Sequence, residues 1–158
     1  FVSGDAFIAA QRRFNLKRRD YDWHLVVLDA AKGKKRHALT HDPTIEVHQI
    51  SNHPGTDGVA IRCQSGLIQF RTTIERAEPV YRCHGQSFTS IAYHPSGRLL
   101  AASSDDGTVS LLDADSLAVT KTFAWNVGPL HSVTFSADGT LAAAGSADGR
   151  VVVWDAEP

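Results

Sequence analysis

A strand pattern that occurs twice constrains this chain more than any other feature. Phe88–Asp113 and Leu130–Asp155 register without a gap at an offset of 42 residues. Ser90/Ser132, Gly97/Gly139, Leu99/Leu141, Ala101/Ala143, Ser104/Ser146, Asp106/Asp148, Gly107/Gly149, Val109/Val151 and Asp113/Asp155 match between the copies. A period near forty, with strands and Gly turns inside it, marks an array of small repeated sheets. Such repetition favours a binding platform over a catalytic centre and places individuality where the pattern breaks.

Outward from this pair, the chain divides into approximate units 1–40 (partial), 45–83, 88–123 and 130–155 (partial). In the first, Trp23–Asp29 predicts a strand rich in aromatic and β-branched residues, and 34–40 an outer polar strand. The second is degenerate, yet His53-Pro54 matches His94-Pro95 at an offset of 41. Its expected strands are 45–52, 58–63, 67–73 and 79–83, and 117–123 is the fourth strand of the third unit. Strands with turn signals every eight to twelve residues or so predict all-β structure.

A sheet with two apolar faces must be sandwiched between neighbours. Val151–Trp154, which lacks clean polar alternation, reads as such a sheet. A stack leaves two sticky ends, whereas a ring of about four to eight sheets leaves none. The expected class is therefore β-propeller blades of four-stranded antiparallel sheets in a partial ring. Fourteen expected strands make about half of a seven-sheet ring. With no Met and a start at Phe1, this predicts a fragment, or a second chain that completes the ring. Ala101, Ala102, Ala143, Ala144 and Gly145 are expected where sheets approach closely.

The Trp154-Asp155 ending, the Ser-x-Asp-Gly turns and the near-42 period resemble WD-repeat β-propellers. The resemblance implies a network of a His before the first strand, Ser or Thr on the second, Asp in the tight turn and Trp on the third. Its physical sense is that buried imidazole and indole N–H groups need partners. His84, Ser104 and Asp106 fit in the third unit, where Leu112 replaces Trp; Ser146, Asp148 and Trp154 fit in the fourth, where Asn126 replaces His. In the second unit Cys63, Ser65 and Arg71 hold the equivalent places. No unit carries the complete set. The resemblance further implies a non-catalytic scaffold for protein–protein interaction, with another protein or peptide as partner.

Catalytic and metal chemistry finds little support. Eight histidines show no His-Glu-x-x-His spacing, and two cysteines make no Cys-x-x-Cys, so neither a metal nor a cofactor is expected. Ser104, His84 and Asp106 are better read as a structural relay than as a nucleophilic triad, there being no Gly-x-Ser-x-Gly elbow. Cys63 and Cys83 are too few for a disulfide framework and suit a reducing, intracellular compartment. No apolar run approaches the roughly 18 residues of a membrane helix.

Charge supplies the most distinctive break in the repeat. The formal net charge is −1, but residues 1–40 hold nine Lys/Arg against four Asp, and the rest seven against thirteen acids. Five cations, Arg12, Arg13, Lys17, Arg18 and Arg19, fall between Gln11 and Asp22, where other units have a tight Asp-Gly turn. This is expected to be an enlarged hairpin connection, and enlarged loops on repeat scaffolds carry specificity. An acidic protein partner, a solvated loop, or a nucleic acid gripped through phosphates and stacked on Phe14, Tyr21 and Trp23 all fit it. The resemblance implies that connections between second and third strands lie on the ring's partner-binding face. It implies the same face for Trp125, in the connection before Leu130, either as a binding hot spot or as a cap on the core. A further alternative makes the segment the targeting or regulatory half of a larger enzyme.

Overall fold

The computed structural model describes residues 6–39, 46–64, 66–71, 80–82 and 87–156. They form fourteen strands in four antiparallel sheets, with no helix among them. Sheet 1 is β1 (Ala6–Asn15), β2 (Asp20–Asp29) and β3 (Lys35–Leu39); sheet 2 is β4 (Val47–Asn52), β5 (Gly58–Cys63), β6 (Gly66–Arg71) and β7 (Val80–Arg82). Sheet 3 is β8 (Phe88–Tyr93), β9 (Leu99–Ser104), β10 (Thr108–Asp113) and β11 (Val119–Ala124); sheet 4 is β12 (Leu130–Phe135), β13 (Leu141–Ser146) and β14 (Val151–Asp155). In every sheet, consecutive strands are neighbours.

Each sheet is too small to bury itself, and the core consists of the layers between sheets. Leu25 and Val27 of sheet 1 cluster with Val47, Val59, Ile61 and Ile68 of sheet 2. Ala60 and Leu67 of sheet 2 cluster with Ile91, Leu100, Leu112 and Leu117 of sheet 3. Ala101, Val109 and Leu111 of sheet 3 cluster with Leu130, Val133 and Ala144 of sheet 4. The sheets are therefore packed face to face in chain order, as propeller blades are, and they do not close into a barrel.

Polar links repeat along this stack. The Gln49 amide pairs with the backbone of β8, donating to Ile91 O and accepting from Ile91 N, each at 2.9 Å. At the His-Pro turns, Gly55 N donates to His53 Nδ1 and Ser96 N to His94 Nδ1, both at 3.1 Å. With Nδ1 accepting, each Nε2–H is the donor to the next sheet. His53 reaches Gly97 O at 2.8 Å, and His94 reaches Gly139 O at 2.9 Å. The rings also meet Tyr93 and Phe135 edge-on, both at 5.0 Å. This repeated latch explains His-Pro as more than turn chemistry.

Three expectations change. Leu117 lies outside β11, buried at φ 55° and closing the turn, so the strand begins at Val119. Val151 and Val153 are exposed while Val152 and Trp154 turn toward sheet 3, so β14 alternates after all. Ala143 and Gly145 share that outward face, so of the five small residues expected at close approach Ala101, Ala102 and Ala144 are the buried ones.

Candidate partner-binding hairpin

The first sheet is tied to the repeat by its second turn. Asp29 N donates to Lys34 O and Gly33 N to Asp29 O, both at 2.8 Å; Asp113 N donates to Ala118 O and Leu117 N to Asp113 O, both at 2.9 Å. In both turns the aspartate side chain accepts backbone N–H bonds, and the residue four further on has positive φ. Thus β2 corresponds to β10, and β1 to β9. The pairs Ala6↔Asp29 to Ala10↔Leu25 match Leu99↔Asp113 to Ser103↔Val109.

Beyond that register the two hairpins part. β9–β10 turns at once, whereas β1–β2 continues through Gln11↔His24, Arg12↔Trp23, Arg13↔Asp22, Phe14↔Tyr21 and Asn15↔Asp20. The basic stretch expected as a loop is thus a two-stranded ribbon, longer by about 16 Å at ~3.3 Å per residue. Only Leu16–Arg19 makes the turn. Asn15 Oδ1 accepts from Lys17 N at 3.0 Å and Arg18 N at 3.3 Å, Asn15 Nδ2 donates to Asp22 Oδ2 at 2.8 Å, and Arg19 takes φ 55°. Arg18 pairs with Asp22.

Alternation gives the ribbon two different faces. Arg12, Phe14, Tyr21 and Trp23 are in phase with Ala10 and Leu25, whose face packs on sheet 2. Gln11, Arg13, Asn15, Asp20, Asp22 and His24 share the other. On the first face, the Arg12 guanidinium sits 3.7 Å from the Tyr21 ring centroid and 5.9 Å from that of Trp23. Phe14 meets Tyr21 edge-to-face at 5.2 Å. Phe14 is 53% exposed, Tyr21 43% and Leu16, at the tip, 83%. Among the described residues no carboxylate pairs with Arg12, Arg13, Lys17 or Arg19. Arg13 and Lys17 flank a shallow groove on the other face, with Asp22 and His24 in its wall.

Trp125 lies in the connection between β11 and β12, which runs beside the β9–β10 and β13–β14 turns, at the end of the sheets that the β1–β2 ribbon extends. It is half-buried, stacked on Phe123 at 5.4 Å and tilted against Trp154 at 4.7 Å, the geometry of a cap on the layer between sheets 3 and 4. Of the expected network residues, His84 lies outside the described residues, as do Ser65 and Cys83. Ser104 Oγ donates to Ser87 O at 3.1 Å, and Asp106 Oδ1 accepts from Thr108 N at 2.9 Å. In the fourth unit the network is not assembled. Ser146 Oγ accepts from Arg150 N at 3.3 Å, Asp148 faces Arg150 at 3.8 Å, and the buried Trp154 Nε1 has no partner among the described residues. With Asn126 in the place of His, the indole is held by its ring contacts instead. Cys63 is buried, its thiol donating to Gly66 O.

Comparison with known sequences adds identity to this geometry. Residues 77–113 and 119–155 match the family described as "WD domain, G-beta repeat". Over 96 residues, 61% of this chain, the sequence is 30% identical to "Telomerase protein component 1" of Rattus norvegicus. The chain spans about 4% of that protein's length. Residues 77–113 and 119–155 are thus two WD repeats, and the sheet stack in chain order and the turn shared by the first sheet continue their architecture along the chain.

Proposed function

We propose that this chain is a non-catalytic platform for protein–protein interaction, and that the β1–β2 ribbon is the element that meets an acidic partner. WD repeats generally act as interaction scaffolds, which supplies the class. The observation that carries the specific reading is the ribbon itself, five strand pairs beyond the repeat's register, with four cations lacking a carboxylate partner among the described residues. Long-range attraction to an acidic surface speeds and orients docking more than it adds affinity. Hairpin tips held on rigid sheets are also where repeat scaffolds carry specificity.

The test reverses the charge of Arg12, Arg13, Lys17, Arg18 and Arg19 to Glu and measures binding of polyglutamate and of a labelled single-stranded oligonucleotide across a salt series. Polyglutamate binding at low salt, lost in the variant and weakened by added salt, is the expected result. Binding that is indifferent to the reversal refutes the assignment. A nucleic-acid role requires the oligonucleotide to bind more tightly than polyglutamate and to show the steep salt dependence of phosphate contacts.

A further inference from the structure

The ribbon poses a question that charge alone does not answer. A two-stranded ribbon is marginal in water unless one face is covered. This one extends the apolar face of sheet 1 past the point where the hairpin of sheet 2 ends, at Cys63↔Gly66. It continues that face with Trp23, Tyr21 and Phe14. Exposed aromatics on a rigid strand, beside an arginine, have the composition of an interface centre.

We infer that the Trp23–Arg12–Tyr21–Phe14 face reads an extended acidic peptide carrying an apolar residue two positions from a carboxylate. This rests on the ribbon being the contact element and specifies what it contacts. Arg12 is held over Tyr21 by a cation–π contact, and no carboxylate among the described residues engages it. A guanidinium held this way keeps its planar fork for a bidentate carboxylate with less ordering still to be done. Phe14 lies two residues further along β1, roughly 7 Å away. A peptide strand alongside presents every second side chain at the same spacing, so a carboxylate opposite Arg12 sets an apolar side chain opposite Phe14 and Tyr21. The same features disfavour a nucleic acid. One face of Tyr21 is taken by Arg12, which limits base stacking.

Three labelled probes test this against the whole chain by fluorescence anisotropy. One is a twelve-residue peptide with Leu two positions after each Glu, one has those Leu changed to Ser, and one is a single-stranded oligonucleotide of equal charge. The first is expected to bind about tenfold more tightly than either other, and Arg12→Ala and Phe14→Ala each to lose about that factor. Arg12→Lys should not restore it, because an ammonium lacks the fork. Both side chains are exposed, so unfolding midpoints should be unchanged. Equal binding of the two peptides, or an oligonucleotide that matches the first, overturns the inference. A variant with residues 11–24 replaced by a short Asp-Gly turn separates the two claims. If it still binds the first peptide, the ribbon is not the contact element; if it loses binding while Arg12→Ala and Phe14→Ala keep it, only the reading of this face fails.

Discussion

Leu117 and Arg19 share an unusual backbone state, φ 55°, and reach it for different reasons. Left-handed backbone at a non-glycine residue costs on the order of 1 kcal/mol. Leu117 is fully buried in the layer between sheets 2 and 3, and that burial offsets the strain. Arg19 is exposed in a turn held by Asn15, so Arg19→Gly should raise the unfolding free energy slightly, by up to about 1 kcal/mol, while removing one cation. Urea denaturation measures this, and a loss of stability would show that the turn is not held as described. Trp154 offers a stronger test, because its value lies in its ring. Trp154→Ala should cost about 3 kcal/mol, from lost contact with Phe123 and Trp125. Trp154→Phe should cost under about 1.5 kcal/mol, since the indole N–H has no partner to lose among the described residues. The sequence placed Trp154 on the right strand but could not show that its hydrogen bond is missing. That depends on how Asn126 and Ser146 lie in space.

At the scale of single elements, the turns carry testable chemistry. Asp113 is held below its ordinary value near 3.8 by hydrogen bonds from the Ser116 hydroxyl and backbone N–H. Asp29 is lowered by the Lys32 N–H and then by Arg36, and Asp138 by the Ser136 hydroxyl and then Thr140. A carboxylate with a lowered folded-state value stabilises fully above its unfolded value and loses that contribution as pH falls through the folded one. Stability should therefore hold at neutral pH and decline below about pH 4. Asp113→Asn should flatten the decline, as followed by circular dichroism during acid titration; an unaltered decline would exclude this turn as a source. The latch between sheets makes a second prediction. Gly139 has φ 78°, and a Cβ there would lie 2.6 Å from His94 Nε2. Gly139→Ala must strain the backbone and displace the imidazole, for a loss of about 2 kcal/mol or more. Gly149→Ala has the same φ and nothing within 4 Å, so the difference between the two reports the latch. The basic hairpin was half legible. Its charge and its departure from the repeat stand in the sequence, but Arg and Lys between the aromatics hid the alternation of Arg12, Phe14, Tyr21 and Trp23. Only the cross-strand register showed that they share one face.

The molecule as a whole is a stack with one side of sheet 4 uncovered. Val151 is 68% and Val153 59% exposed, and Leu141 joins them on that face. The opposite face of sheet 4 lies against sheet 3, and an apolar face left open favours association, so this 158-residue chain alone should self-associate at micromolar concentration. Val151→Lys with Val153→Lys should make it monomeric in sedimentation velocity without lowering its unfolding midpoint, since neither side chain is in the core. Unchanged association would place the contact elsewhere. By itself the sequence determined the strands and their order. The 42-residue repeat, the Gly turns and the apolar runs are local signals, and strand period and turn geometry act over a few residues. Tertiary structure alone decided which face of each strand is buried, which donors stay unpaired, and that the basic segment is a ribbon continuing the apolar face of sheet 1. These depend on register and on neighbouring sheets, because a side chain that reads the same in sequence is core or contact surface according to what packs against it.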